Sequence, residues 1–411
     1  MLTGPALNRP ALAVLGASAF FFVTAETLPV GLLPQIAHGL RVDEADVGLL
    51  LTSYAVVAGL STIPFTALTM RVPRHRLIAV TVAIFAVSQA AATFAPTFLT
   101  LVLARLICAL VHGVFWSVVG PATARLAPPG QAGKATSLVF LGNSLAIVLG
   151  VPLGTALGQW LGWRAAIGAM AVGGVLSVLA LRKVLPPLPV LPHDRATRTG
   201  EQLRAAVRII GYRPVAVLCG ITTIMVIGQF ASYTYIAPLV RRDGGLQGFG
   251  LSALLLGYGA AGLISNFLIG RHIDRRPGVL LTGALGTIVV AVALLAPVLG
   301  AVPTWICALF WGGAFTAIPA CLQATALRVA PRARDAASAV YVVAFQVGIG
   351  SGAFVGGRFV QAGRLGALAL LTAAFALVAC VAVVAARRVF PARLSREDHR
   401  RAEAELTGLP V

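Results

Sequence analysis

The chain has thirteen acidic residues among 411, and twelve of them fall in polar stretches, at the ends of apolar runs or in the tail. The exception is Glu26, inside the apolar run FFFVTAETLPVGLLP. A charged carboxylate in hydrocarbon costs several kcal/mol, so one found there usually faces a cavity and handles protons or substrate. A second run, ARLICALVHGVFW, carries Arg105 and His112. A separation of seven residues is two helical turns, so both project from one face. Imidazole titrates near neutral pH, which makes His112 a candidate second proton carrier or a hydrogen-bonding group for substrate. The bland alternatives are a Glu26 that snorkels outward or caps a helix break near Pro29, and a His112 that only packs.

These groups need long apolar elements to hold them. The chain is 58% hydrophobic and 11% charged, with a mean hydropathy of +0.90. Soluble domains carry about 25% charged residues, so the composition excludes a soluble enzyme and describes an all-α integral membrane protein. Apolar stretches of about 20 residues give twelve expected spans. They run over 11–33, 46–69, 77–96, 98–120, 135–159, 163–185, 214–237, 251–270, 278–299, 303–326, 336–360 and 366–386. At 1.5 Å per residue, Glu26 lies ~22 Å from the inner edge of the first span and Arg105 ~20 Å from it in the fourth. The two fall at similar depth and could pair.

The net charge of +19 resolves into a topology signal. With an even number of spans, 25 of the 32 Lys and Arg residues fall on the side that holds both termini. Positive charge is retained in the cytoplasm, so both termini are expected there. No basic soluble segment with aromatic or groove-reading elements exists, which excludes a nucleic-acid partner. The five cysteines have no metal-like spacing, and the six histidines are scattered, with no HExxH pattern for a metalloenzyme. The longest polar stretch divides the chain into a six-helix bundle over 1–185, a linker over 186–213, a second bundle over 214–390 and a tail over 391–411. Basic turns at matching places, ALTMRVPRHR (67–76) and IGRHIDRRPG (269–278), suggest that the halves are related repeats.

Polar and aromatic groups inside the spans are candidate substrate contacts: Tyr54, His112 and Asn143 in the first half, then Gln229, Tyr233, Tyr235, Asn266, Gln323, Tyr341 and Gln346 in the second. Sugars favour several amides and hydroxyls plus an aromatic face, whereas a lipophilic drug accepts more aromatic surface with fewer amides. Each of these residues either lines a cavity or bonds across helices. In the fifth span, Gly150, Pro152 and Gly154 form a small-residue packing hinge.

Four segments carry a family resemblance: TAETLPVGLLPQIA (24–37), ARLICALVHGVFWSVVGPATARLAP (104–128), GVPLGTALGQWLGWR (150–164) and FASYTYIAPLV (230–240). Through them the chain resembles major facilitator superfamily transporters of the twelve-span drug:proton antiporter type, most closely bacterial sugar efflux transporters, with chloramphenicol-resistance exporters next. The resemblance implies an alternating-access antiporter of sugars or sugar-like compounds, or alternatively a chloramphenicol or multidrug:proton antiporter. It implies a monomer in the bacterial inner membrane that uses no cofactor and draws on the proton gradient. By the same resemblance, Glu26 occupies a motif position held by glutamate and Arg105 belongs to a fourth-span motif implicated in proton transfer. The gate loop after the second span departs from the family pattern: Met70 stands where an aspartate is usual, before Arg71, while the second-half counterpart keeps Asp274 and Arg275.

Overall fold

The computed structural model describes residues 8–69, 71–126, 132–190, 200, 204, 208–270, 276–330 and 334–393. All regular structure among them is helical. The chain divides into two compact units, Met1–Leu203 and Arg204–Val411.

The first unit holds α1 (Arg9–Leu40), α2 (Glu44–Thr69), α3 (Arg74–Thr93), α4 (Phe98–Arg125), α5 (Ala132–Leu145), α6 (Val151–Leu161) and α7 (Trp163–Val184). The Asn8 side chain accepts from the Ala11 N–H at 3.2 Å and starts α1. Arg41 ends it in the left-handed region, with its N–H turned back to Ala37 O. Glu44 and Asp46 lie in the first turn of α2, where negative charge complements the helix dipole. Between α5 and α6 a π turn spans Ala146–Gly150, and the Val151 N–H reaches back five residues to Ala146 O. Pro152 has no N–H for Val148 O, so the wider turn forms where an α-helical register would break.

Helix α1 packs against α2, α5, α6 and α7, while α3 packs on α4 and α7 and α2 packs on α4. The approach of α1 to α5 and α6 is close enough to demand glycine. A Cβ on Gly142 would stand 1.9 Å from the Gly16 carbonyl oxygen, and one on Gly150 would stand 2.0 Å from Thr24 Oγ1. Gly154 faces Leu28 in the same way, at 2.5 Å. The first residues of the expected linker are tied to this unit: Arg74 N–H donates to Leu188 O, Leu188 N–H donates to His75 Nδ1, and Arg125 donates to Pro189 O.

The second unit holds α8 (Arg213–Tyr233), α9 (Ile236–Gly244), α10 (Phe249–Gly270), α11 (Pro277–Ala293), α12 (Ala301–Val329), α13 (Arg334–Gln361) and α14 (Leu365–Ala385). Its packing repeats that of the first unit. α8 lies on α13 and α14 as α1 lies on α5 and α7, α10 on α12 as α2 on α4, and α11 on α12 and α14 as α3 on α4 and α7. The loop expected after residue 237 instead contains α9, whose apolar IAPLV start is followed by RRDG. Gly245 ends α9 with φ of 64°, and the chain turns by 111° into α10. Asp243, expected in that loop, is buried at 2% exposure and pairs with Arg242, which also donates to Leu295 O.

Among the described residues ten helices are long and apolar enough to cross a membrane, or eleven if the bent pair α9 and α10 is one span. The ninth expected span, 278–299, is realised as α11, a shorter apolar helix of 17 residues. At 1.5 Å per residue that is ~25 Å, short of a ~30 Å hydrocarbon core.

Candidate functional site

The groups singled out in the first half converge in the interior of the first unit. Arg105, Cys108 and His112 lie along α4 at intervals of three and four, so they share a face. Glu26 comes from α1 and Tyr54 from α2. His112 Nε2 stands 3.9 Å from Glu26 Oε2, with the imidazole 5% exposed and the carboxylate 15%. On its other edge the ring nitrogen Nδ1 is 2.9 Å from the Tyr54 hydroxyl. Tyr54, 2% exposed, also has Cys108 Sγ 3.5 Å from its hydroxyl. When the hydroxyl donates to Nδ1, the ring proton resides on Nε2, toward the carboxylate. Tyrosine and histidine are hydrogen-bonded and the carboxylate stands at ion-pair distance from the imidazole, the group being walled by aromatic side chains. Phe22 stacks on Phe115 at 4.4 Å between centroids, and Trp116 lies 6.4 Å from the imidazole.

Arg105 meets Glu26 as its depth suggested, but not as an ion-pair partner through hydrogen bonds. Its Nη1 donates to Ala25 O at 2.9 Å and its Nη2 to Glu26 O at 3.1 Å, both main-chain carbonyls. Its Cζ lies 5.3 Å from the centre of the Tyr54 ring. Tyr54, taken from the sequence as a substrate contact, is thus built into the Glu26 cluster. Asn143 is half-buried on α5. Gly150 and Gly154 press on α1, and Pro152 opens α6 beside the π turn. Arg71 is exposed after the end of α2. Met70, Asp274 and Arg275 lie outside the described residues. Asn266 belongs to α10, and its side chain lies outside the described set.

In the second unit the expected amides and hydroxyls are largely engaged across helices. Gln229 donates to the Tyr258 hydroxyl at 3.0 Å and accepts from Trp311 Nε1 at 2.7 Å. The Tyr235 hydroxyl donates to Ala353 O, the Tyr341 hydroxyl to Pro319 O, and the Gln323 amide to Ser338 Oγ. Gln346 is buried on α13. What remains around Tyr233 is aromatic: Tyr258 at 5.3 Å, Phe230 at 5.9 Å and Trp311 at 6.2 Å between centroids. Tyr258 and Trp311 were not among the residues marked from the sequence. A tyrosine or tryptophan in an apolar helix was the available signal, since its polar tip needs a buried partner.

Comparison with known proteins bears on both fold and activity. The family model described as the Major Facilitator Superfamily matches residues 15–352 and 243–409. Two chloramphenicol efflux pumps of Mycobacterium tuberculosis, from strains CDC 1551 / Oshkosh and H37Rv, are each 40% identical to the chain, over 84% of it and 84% of their own length. Among solved structures, a bacterial homolog of the human lysosomal transporter Spinster aligns over 96% of this chain and 100% of its own, with 18% identity and a TM-score of 0.72. A nucleoside transporter aligns over 92% of this chain and 99% of its own, with 15% identity and a TM-score of 0.70. At such identities these two likenesses speak for the fold alone.

Proposed function

Because this chain belongs to the Major Facilitator Superfamily, a family of membrane transporters, we propose that it exports chloramphenicol or a similar lipophilic drug in exchange for protons. The expectation of a sugar substrate gives way to its alternative. The relatives matched along most of the chain are chloramphenicol efflux pumps. The second unit gives an independent physical reason. Four of the expected contacts in the second unit, Gln229, Tyr235, Gln323 and Tyr341, bond to neighbouring helices, and the side chains packed around Tyr233 are aromatic. An interior rich in aromatic side chains suits a nitroaromatic drug better than a polyol.

Proton coupling rests on one observation, the Glu26 carboxylate held near His112 inside an apolar bundle. A protonatable side chain inside the bundle is what a proton-coupled antiporter requires. In this reading Glu26 carries the proton, His112 receives or returns it, and Tyr54 sets the tautomer. Counting the bent pair α9 and α10 as one span and α11 as another gives twelve; in this proposal both termini lie in the cytoplasm and the chain works as a monomer in the inner membrane. The test is drug accumulation in a host stripped of its own exporters. Cells making the protein are expected to hold less chloramphenicol until a protonophore is added, and to show no change in arabinose or thiogalactoside content. Unchanged chloramphenicol with lowered sugar content would overturn the assignment.

A further inference from the structure

Pro29 lies inside α1, and proline has no N–H to donate. The carbonyl it leaves without a helical donor is that of the residue four positions earlier, Ala25. In a membrane-spanning helix such a carbonyl must find another donor, because no water in the hydrocarbon supplies one. Arg105 Nη1 donates to that oxygen at 2.9 Å, and Nη2 donates to the next one, Glu26 O, at 3.1 Å. Arg105 is 3% exposed, and its guanidinium rests over the Tyr54 ring. Its planar fork matches two successive carbonyls in a way that a single ammonium point cannot. The charge therefore faces the backbone of the opened turn, and Glu26 is a member of that turn.

We propose that Arg105 is a positioning residue, clamping the proline-opened turn of α1 and so fixing where the Glu26 carboxylate stands. Its effect on the proton site then travels through the backbone of α1, and its charge alone does not substitute for it. The inference rests on Glu26 being the proton site only for its functional half; the clamp itself concerns α1 and α4. Titratable groups around the guanidinium are Tyr54 from α2, Cys108 from its own helix α4 and the Glu26 carboxylate from α1, while its hydrogen bonds go to the Ala25 and Glu26 carbonyls of α1.

The experiment is a double-mutant cycle on the purified full-length chain, with Arg105→Met, Pro29→Ala and the pair. Two quantities are read: the melting temperature, and the pH midpoint of the part of its pH dependence that Glu26→Gln removes. Pro29→Ala restores an N–H to Ala25 O, so the melting loss caused by Arg105→Met should be at least twofold smaller in that background, and the midpoint should return toward that of Pro29→Ala alone. Arg105→Lys, which keeps the charge and loses the fork, should melt early and shift the midpoint as Arg105→Met does. Equal losses in both backgrounds, or a lysine variant that melts and titrates like the wild type, would overturn the clamp. Should Pro29→Ala fail to fold, the lysine variant decides alone. Wild-type protein that exports no chloramphenicol sinks the substrate assignment and leaves the melting cycle decisive. A Glu26→Gln variant with unchanged pH dependence removes the functional half of this inference, while melting coupling still tests the clamp.

Discussion

Substituting Gly142 by alanine tests how tightly the first unit holds α1. A Cβ there would lie 1.9 Å from the Gly16 carbonyl oxygen, 2.7 Å from its carbon and 3.0 Å from Cα of the same residue. The obstacle is main chain, so no rotamer change relieves it. The α1 and α5 backbones must separate by at least about 1.1 Å to bring the closest contact to 3.0 Å. Overpacking of this kind costs about 1–3 kcal/mol. For a cooperative unit of about 200 residues, each kcal/mol lowers the melting temperature by roughly 2–4 °C. Gly283, on α11, is the control, since a Cβ there meets nothing within 4 Å. Alanine at that position should be neutral or stabilising by up to about 1 kcal/mol, through lost freedom of the unfolded chain. Differential scanning fluorimetry of the purified protein reads both. Gly142→Ala melting at or above the wild type, or Gly283→Ala falling as far as Gly142→Ala, would refute the packing argument. Because Glu26 stands ten residues farther along α1, ~15 Å away, Gly142→Ala should also weaken proton-linked efflux.

Three further outcomes are expected. Tyr54→Phe removes the hydroxyl 2.9 Å from His112 Nδ1, at a cost of about 1–3 kcal/mol for the buried nitrogen left behind; reconstituted efflux should slow by about tenfold with KM for drug nearly unchanged, whereas a raised KM at constant turnover would make Tyr54 a substrate contact. Trp311→Phe leaves the Gln229 oxygen without its indole donor, so the melting temperature should fall by an amount matching about 1–3 kcal/mol, and no change would mean that this bond is not maintained. Exchange of one proton for a neutral drug moves one charge, worth about 2.3 kcal/mol per 100 mV. Clamping the membrane potential of proteoliposomes from −100 mV to zero should therefore lower the attainable drug gradient about 50-fold, and insensitivity to potential would exclude that stoichiometry.

The sequence made the ingredients of the Glu26 site legible, because charge in hydrocarbon is conspicuous and depth follows from counting residues. Partners were harder to read. Pro29 marks Ala25 O as a carbonyl in need of a donor, yet only the packing of α4 against α1 shows that Arg105 supplies it. A Glu26 that caps the break near Pro29 was one alternative left open by the sequence, but a carboxylate has no hydrogen to give Ala25 O, and Arg105 supplies it. Tyr54 looked like a cavity residue because spacing within one helix does not reveal which neighbour it faces. The same limit hid Trp311 and Tyr258, whose roles depend on Gln229 lying between them. For Tyr235 and Tyr341 the sequence left cavity lining and bonding across helices both open, and the structure shows the bonds, to Ala353 O and Pro319 O. Helix α9 escaped because its apolar start merges with the end of α8, and nothing local announces the 111° bend that follows.

Exchange of drug for proton requires the two to compete through Glu26. Proton release on drug binding measures this directly, with the purified protein in weakly buffered detergent solution and a pH-indicating dye. Chloramphenicol is expected to drive protons out of the wild-type protein, approaching one per drug bound, and Glu26→Gln is expected to bind the drug and release none. A Glu26→Gln protein that releases as many protons as the wild type would contradict it.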